Sequence, residues 1–237
     1  MSPTPRPAST GGRHADVLDA LGGDIAAARL AEGEVLTVEG IGARYAVSRS
    51  VAREAIRVLE AMGMLAARRR VGITVQPRAG WSVFDPRLIR WRLDEGDRAE
   101  QLLSLSELRR GVEPAAAALA AARADAEQCR ALAGAVSDMQ VHARTGDLEP
   151  YLRADQTFHR VLLEASGNEM FAALVDVVAE VLSGRTQHGM MPARPNPEAV
   201  ALHDDVARAV RLGDVALAQS AMTSIIDEAA DALASGR

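Results

Sequence analysis

The chain has 237 residues, 48% of them hydrophobic but only 3% aromatic, so its core must be built mostly from Ala, Leu and Val. A single cysteine, Cys129, excludes an intrachain disulfide scaffold, and no run of about 18 apolar residues offers a membrane span. The net charge of −5 conceals a split: residues 13–92 carry 13 Arg against 9 acids, and residues 93–237 carry 13 Arg against 23 acids. A mildly basic module on an acidic body is expected, in a chain that is soluble and cytoplasmic. All 27 basic residues are Arg, so the choice of Arg over Lys carries no weight at any one site.

Residues 1–12 are rich in Pro, Ser, Thr and Gly and read as a disordered tail. A helix is expected over 15–30, with Gly22-Gly23 as a point where it can break. Thr37 caps a short helix over 38–45, and Ala46-Val47-Ser48 leaves room only for a tight turn. The next helix starts at Ser48, a good N-cap, and stops at Gly63. Its apolar face is expected to be Val51, Ala55, Val58, Leu59 and Met62, with Arg49, Ser50, Arg53 and Arg57 off that face. Guanidiniums at a helix start oppose the helix dipole, so they suit either a solvated surface or a nucleic-acid partner. After Gly63, the flanks 65–67 and 73–75 can pair as a hairpin around a tip of Arg70, Val71 and Gly72. Residues 13–78 therefore read as a winged helix-turn-helix.

Residues 79–97 read as a linker and a short connecting helix containing both Trp residues, Trp81 and Trp91. From 98 to 237 there is no strand pattern. Six helices are expected, at 98–123, 125–144, 148–165, 168–187, 196–211 and 214–234, forming an all-α bundle. The fold class is thus mainly α.

Within that bundle some polar residues sit where apolar ones belong. Asp155 and His159 share a helix face with Leu152, Phe158 and Leu162, and His203 interrupts the stripe Val200, Val206, Val210. Buried carboxylate and imidazole groups cost several kcal/mol unless paired or metal-bound. The alternatives are a satisfied Asp–His contact and a functional site. Arg109 and Glu113, one turn apart, read as an ion pair bordering the apolar face. Asn168 reads as a helix N-cap.

These features together resemble the GntR family of bacterial transcription regulators, specifically its FadR subfamily. The matching stretches include Val47-Ser48-Arg49-Ser50, Arg53 to Leu59, Met62-Gly63-Met64-Leu65 and Val71 to Val75. In the second half they are Glu107 to Pro114, Asp155-Gln156-Thr157-Phe158-His159, Ser166-Gly167-Asn168, and His203 with Gly213-Asp214. The segment 81–91, with Asp85 and Leu88, is similar to the sugar-acid (galactonate-type) regulators of that subfamily. The resemblance implies DNA contacts at Ser48, Arg49, Ser50 and Arg53, with Arg70 and Gly72 at the wing. An Arg at such positions can bond guanine O6 and N7 in a bidentate manner, while Ser bonds phosphate oxygens. Gly40 stands where members usually carry an Arg, so one contact is expected to be lost.

The resemblance also implies an effector domain in which Arg109 clamps a ligand carboxylate, with Glu113, Asp155, His159 and His203 around it. Members of this kind bind a divalent metal through one aspartate and three histidines. Asp155, His159 and His203 match, and Ile225 stands at the fourth position. One Zn, Ni or Mn ion in an incomplete site is the implied cofactor, with His188 as a remote substitute ligand. The function implied is a homodimeric, DNA-binding regulator, a repressor released from its operator by a small carboxylate such as a sugar acid. The alternatives are a metal-dependent hydrolase or lyase built on Asp155, His159 and His203, and an acyl-CoA-responsive regulator of the same subfamily.

Overall fold

The computed structural model describes residues 13–95, 97–192 and 194–235. The expected tail, 1–12, lies outside the described residues. The chain divides into two compact units, Met1–Arg98 and Ala99–Arg237.

The first unit opens with α1 (Arg13–Ala26) and continues through β1 (Val35–Leu36), α2 (Val38–Arg44), α3 (Arg49–Ala61), β2 (Leu65–Arg68), β3 (Gly72–Val75) and α4 (Pro86–Glu95). Thr37 caps α2 by accepting from the Gly40 amide, and Ser48 caps α3 by accepting from the Val51 amide. These first-turn amides have no helical partner of their own. The three strands form an antiparallel sheet in the order β1-β3-β2. The hairpin β2–β3 was expected; β1 was not, because two residues carry no periodicity and their pairing with Ile73 and Thr74 is long-range.

Four corrections follow in this unit. Of the two Trp residues expected within the connecting helix, only Trp91 lies in α4, and Trp81 precedes it. The helix α1 ends at Ala26, although Leu30 beyond it is still buried. It runs unbroken through Gly22-Gly23, and Gly22 serves packing there: a β-carbon would lie 2.3 Å from the Trp91 ring of α4. The face of α3 that enters the core is Ala52, Ala55, Ile56, Leu59 and Met62, with Val51 and Val58 only half-buried, a phase slightly rotated from that expected. Trp91 also donates its indole N–H to Asp19, at 3.0 Å, so α4 is anchored on α1. Asp24 holds the other end of α1 to α2 by accepting from Tyr45 (2.6 Å) and Arg44 (2.8 Å).

In the second unit the regular elements among the described residues are all helices: α5 (Arg98–Arg123), α6 (Ala126–Thr145), α7 (Leu148–Ala165), α8 (Glu169–Ala172), α9 (Val175–Gln187), α10 (Pro197–Leu212) and α11 (Val215–Ser235). Where one helix was expected over 168–187, there are two, α8 and α9. Asn168 does cap α8, accepting from the Met170 amide. Asp125 and Gln128 form a capping box at the start of α6. Gly146 and Gly213 end α6 and α10 in the left-handed conformation that favours glycine. The core is aliphatic and Ala-rich around Phe158, Leu132, Met139, Leu162 and Met222. No helix among the described residues is long and apolar enough to cross a membrane.

Candidate functional site

In the first unit, Ser48, Arg49, Ser50 and Arg53 are all exposed at the start of α3. Ser48 and Ser50 share a hydrogen bond of 2.9 Å. Arg49 reaches back to Glu39 in the first turn of α2, at 3.2 Å, a solvated pair of small energetic weight. At the wing, Arg70 is exposed with φ of 70°. Gly72 is the half-buried first residue of β3, paired with Arg68. A β-carbon there would meet the Val35 side chain at 2.8 Å, so glycine is needed for packing on β1, whatever the wing touches. Gly40 is needed by nothing so strict; its amide serves the Thr37 cap.

In the second unit, α5, α7 and α10 bring Arg109, Glu113, Asp155, His159 and His203 together, all buried. Arg109 Nε and Nη2 lie 2.5 and 3.3 Å from the two oxygens of Glu113. His159 Nδ1 lies 2.6 Å from Glu113 Oε2, and its Nε2 is 3.4 Å from both Asp155 Oδ1 and Arg109 Nη2. His203 donates its Nδ1 proton to the Ala199 carbonyl at 2.6 Å, which turns its Nε2 toward Asp155 Oδ1 at 3.3 Å. Phe158 packs its edge against the His203 ring, 4.9 Å between centroids, and holds it in place.

The electrostatics follow from burial and these neighbours. Burial favours neutral carboxyls, but Arg109 and His159 overcome it and hold Glu113 down at about 2. Burial likewise opposes the Asp155 carboxylate, and the two imidazoles hold it well below its ordinary range. For His159, burial opposes the charge, yet Glu113 and Asp155 raise it to about 9.

Asp155 and His203 nevertheless present acceptor atoms to each other. Asp155 Oδ1 and His203 Nε2 are both buried without a hydrogen-bond partner. Three ligand atoms, one each from Asp155, His159 and His203, lie within 4.8 Å of one another and could hold a metal ion. Separations of 3.3 and 3.4 Å suit ligands that each sit about 2.0–2.2 Å from a shared ion. The donor set therefore fits a divalent cation. Ile225 lines the same cavity and offers no fourth ligand, and His188, half-buried at the end of α9, does not line it.

Residues 14–75 match the bacterial regulatory proteins of the gntR family, and residues 104–228 match the FCD domain. The chain belongs to the GntR family, with an FCD domain as its second unit. This GntR-family chain is a DNA-binding transcription regulator whose helical unit is of the effector-binding kind. It is 27% identical over 183 residues to the galactonate operon transcriptional repressor of Escherichia coli K12, covering 77% of this chain and 79% of that protein. It is 28% identical over 141 residues to the HTH-type transcriptional regulator YieP of the same organism, 60% of this chain but only 61% of YieP. Among solved structures, Lar, which controls expression of the Listeria monocytogenes agr system, is 19% identical with a TM-score of 0.60 over 97% of this chain and 100% of that one. McbR/YncC of E. coli is 16% identical with a TM-score of 0.55, over 96% and 99%. Both show the fold.

One residue of the regulator's cavity went unnoticed in the sequence. Arg185 of α9 lines it together with Arg109, Tyr151 and Glu228, and is buried. Burial and then the like charge of Arg109 push its guanidinium below its ordinary range. Arg185 closes a helix, and a cation there reads simply as a complement to the dipole.

Proposed function

We propose that this regulator is a repressor that works as a homodimer and leaves its operator when a small carboxylic acid, of the sugar-acid class, enters the cavity of the helical unit. The observation that carries this reading is the polar cluster itself: two arginines, two histidines and the Asp155 carboxylate, all buried, line one cavity, and Glu113 is buried behind Arg109 and His159. A core pays for such groups only where they are paired or where they bind something. The similarity to a galactonate operon repressor supports the acid class. Two copies of α3 would read the half-sites of a palindrome through Arg49 and Arg53, with Ser48 and Ser50 on phosphates and Arg70 at the wing. The acid releases the operator only through a higher affinity for the state that binds DNA poorly.

A fluorescence-anisotropy titration of operator DNA tests the reader. Arg53→Ala should weaken operator binding by about 1–3 kcal/mol while acid binding to the helical unit is unchanged. Operator affinity equal to that of the unaltered protein would refute the role of α3.

Asp155, His159 and His203 would hold a divalent ion, Zn, Ni or Mn, which when bound would supply a positive anchor for the oxygens of the acid. The proton that His159 keeps up to about 9 must leave for its Nε2 to ligate. Zinc affinity, measured by competition with a chromophoric chelator, should therefore rise with pH by up to about tenfold per unit between roughly pH 6 and 8. His203→Ala should abolish uptake. A pH-independent affinity would contradict a protonated His159 in the metal-free protein.

A further inference from the structure

Arg109 is the arginine that the family resemblance assigns to a ligand carboxylate, but its guanidinium is already engaged. Both oxygens of Glu113 meet it, and both side chains are buried. An incoming carboxylate would have to displace Glu113, which is completely buried and also faces His159. That exchange would strand one buried carboxylate to satisfy another.

The cavity holds a second guanidinium in the opposite condition. Arg185 is 8% exposed, and its Nε is buried with no hydrogen-bond partner. Among the described residues no carboxylate stands at ion-pair distance from it. Glu228 and Asp155 are close enough to act on its charge without pairing, and Arg109 acts against it. An unpaired buried cation costs several kcal/mol. A structural arginine would be expected to find a partner, whereas a ligand-binding one waits for it.

We infer that Arg185 takes the carboxylate of the effector, and that Arg109 is a fixed part of the wall, held by Glu113. This inference rests on the effector-cavity reading above. The fork of Arg185 matches a carboxylate in two parallel N–H···O bonds. The same cavity offers a group that suits a hydroxyl, the phenol of Tyr151, beside the apolar wall of Ile225; Asn196, also in the lining, is engaged in capping α10 and in donating to Glu228. Its volume of about 40 Å³ leaves room for a small group and a few waters in this state. The ligand class is thus a short hydroxy acid whose charged end points to α9 and whose hydroxyls face α7.

The test is isothermal titration of the intact protein with galactonate, gluconate, lactate and citrate, and with the methyl ester of whichever acid binds. Arg185→Gln should lose at least tenfold in affinity for that acid, Arg185→Lys should lose less, and the ester should bind the unaltered protein no better than the acid binds Arg185→Gln. The thermal midpoint of ligand-free Arg185→Gln should stay equal to or rise above that of the unaltered protein, because the variant removes an unpaired buried charge; a merely structural arginine would lower it. Acid binding within threefold of normal in Arg185→Gln would overturn the role of Arg185 and leave the effector cavity standing. Equal binding of the ester would overturn the carboxylate clamp. If none of the acids binds the unaltered protein, both the clamp and the effector reading fail.

Discussion

Glu113→Gln should destabilise the helical unit by about 3–5 kcal/mol, the cost of leaving buried Arg109 without its counter-charge. For a unit of this size the thermal midpoint should fall by on the order of 10 °C. Gln keeps the volume of Glu, so the loss is electrostatic and not that of a cavity. The pH dependence has a definite sign. Glu113 is held at about 2 against an ordinary 4.5, so its contribution is complete above about pH 4.5 and is lost as pH falls toward 2. In the variant this part of the acid limb should flatten. Adding Arg109→Met to Glu113→Gln should recover a substantial share of the loss, since the stranded guanidinium is then gone. A single variant as stable as the unaltered protein in calorimetry, or a double variant less stable than the single one, would show that the Arg109–Glu113 pair is not the buried unit described.

The helices and their ends were largely legible from the chain, because capping chemistry is local. Thr37, Ser48 and Asn168 each satisfy amides two or three residues away, and all three are readable as caps from residue type and spacing. The polar residues on apolar stripes were legible for a related reason: Asp155 and His159 break a helical period that the sequence displays. What the chain concealed depends on partners far away in sequence. Nothing near Val35 signals its pairing with Thr74, and nothing near Gly22 signals the Trp91 ring that explains it. The contact of Glu113 with His159, which joins α5 to α7, ties a pair that reads only as bordering the apolar face into the buried polar cluster. Arg185 was invisible because burial is what distinguishes it, and a lone Arg beside Gly184 near a helix end gives no sign of that.

Gly63→Ala should cost the first unit about 2–5 kcal/mol and should weaken operator binding through the placement of α3. Gly63 follows α3 with φ of 73°, and the chain there turns from the reading helix into the wing. The left-handed conformation alone is not prohibitive, since Ala46 and Arg70 adopt it in the same unit. The larger obstacle is the backbone beyond the wing. A β-carbon at Gly63 would lie 2.2 Å from the Gly80 carbonyl oxygen, and the segment carrying Gly80 cannot easily withdraw. On either side of it, Gln76 donates to the Met64 carbonyl at 2.9 Å and Ser82 to the Met62 carbonyl at 2.8 Å. Gly33 supplies the control, with φ of 79° and nothing within 4 Å of its missing β-carbon. Gly33→Ala should therefore cost only the conformational part, about 1–2 kcal/mol. The difference between the two variants in chemical denaturation measures the close approach of Gly80 by itself. If Gly63→Ala proves no worse than Gly33→Ala, the end of α3 is not clamped by the segment after the wing, and the reading helix owes its orientation to its own core face alone.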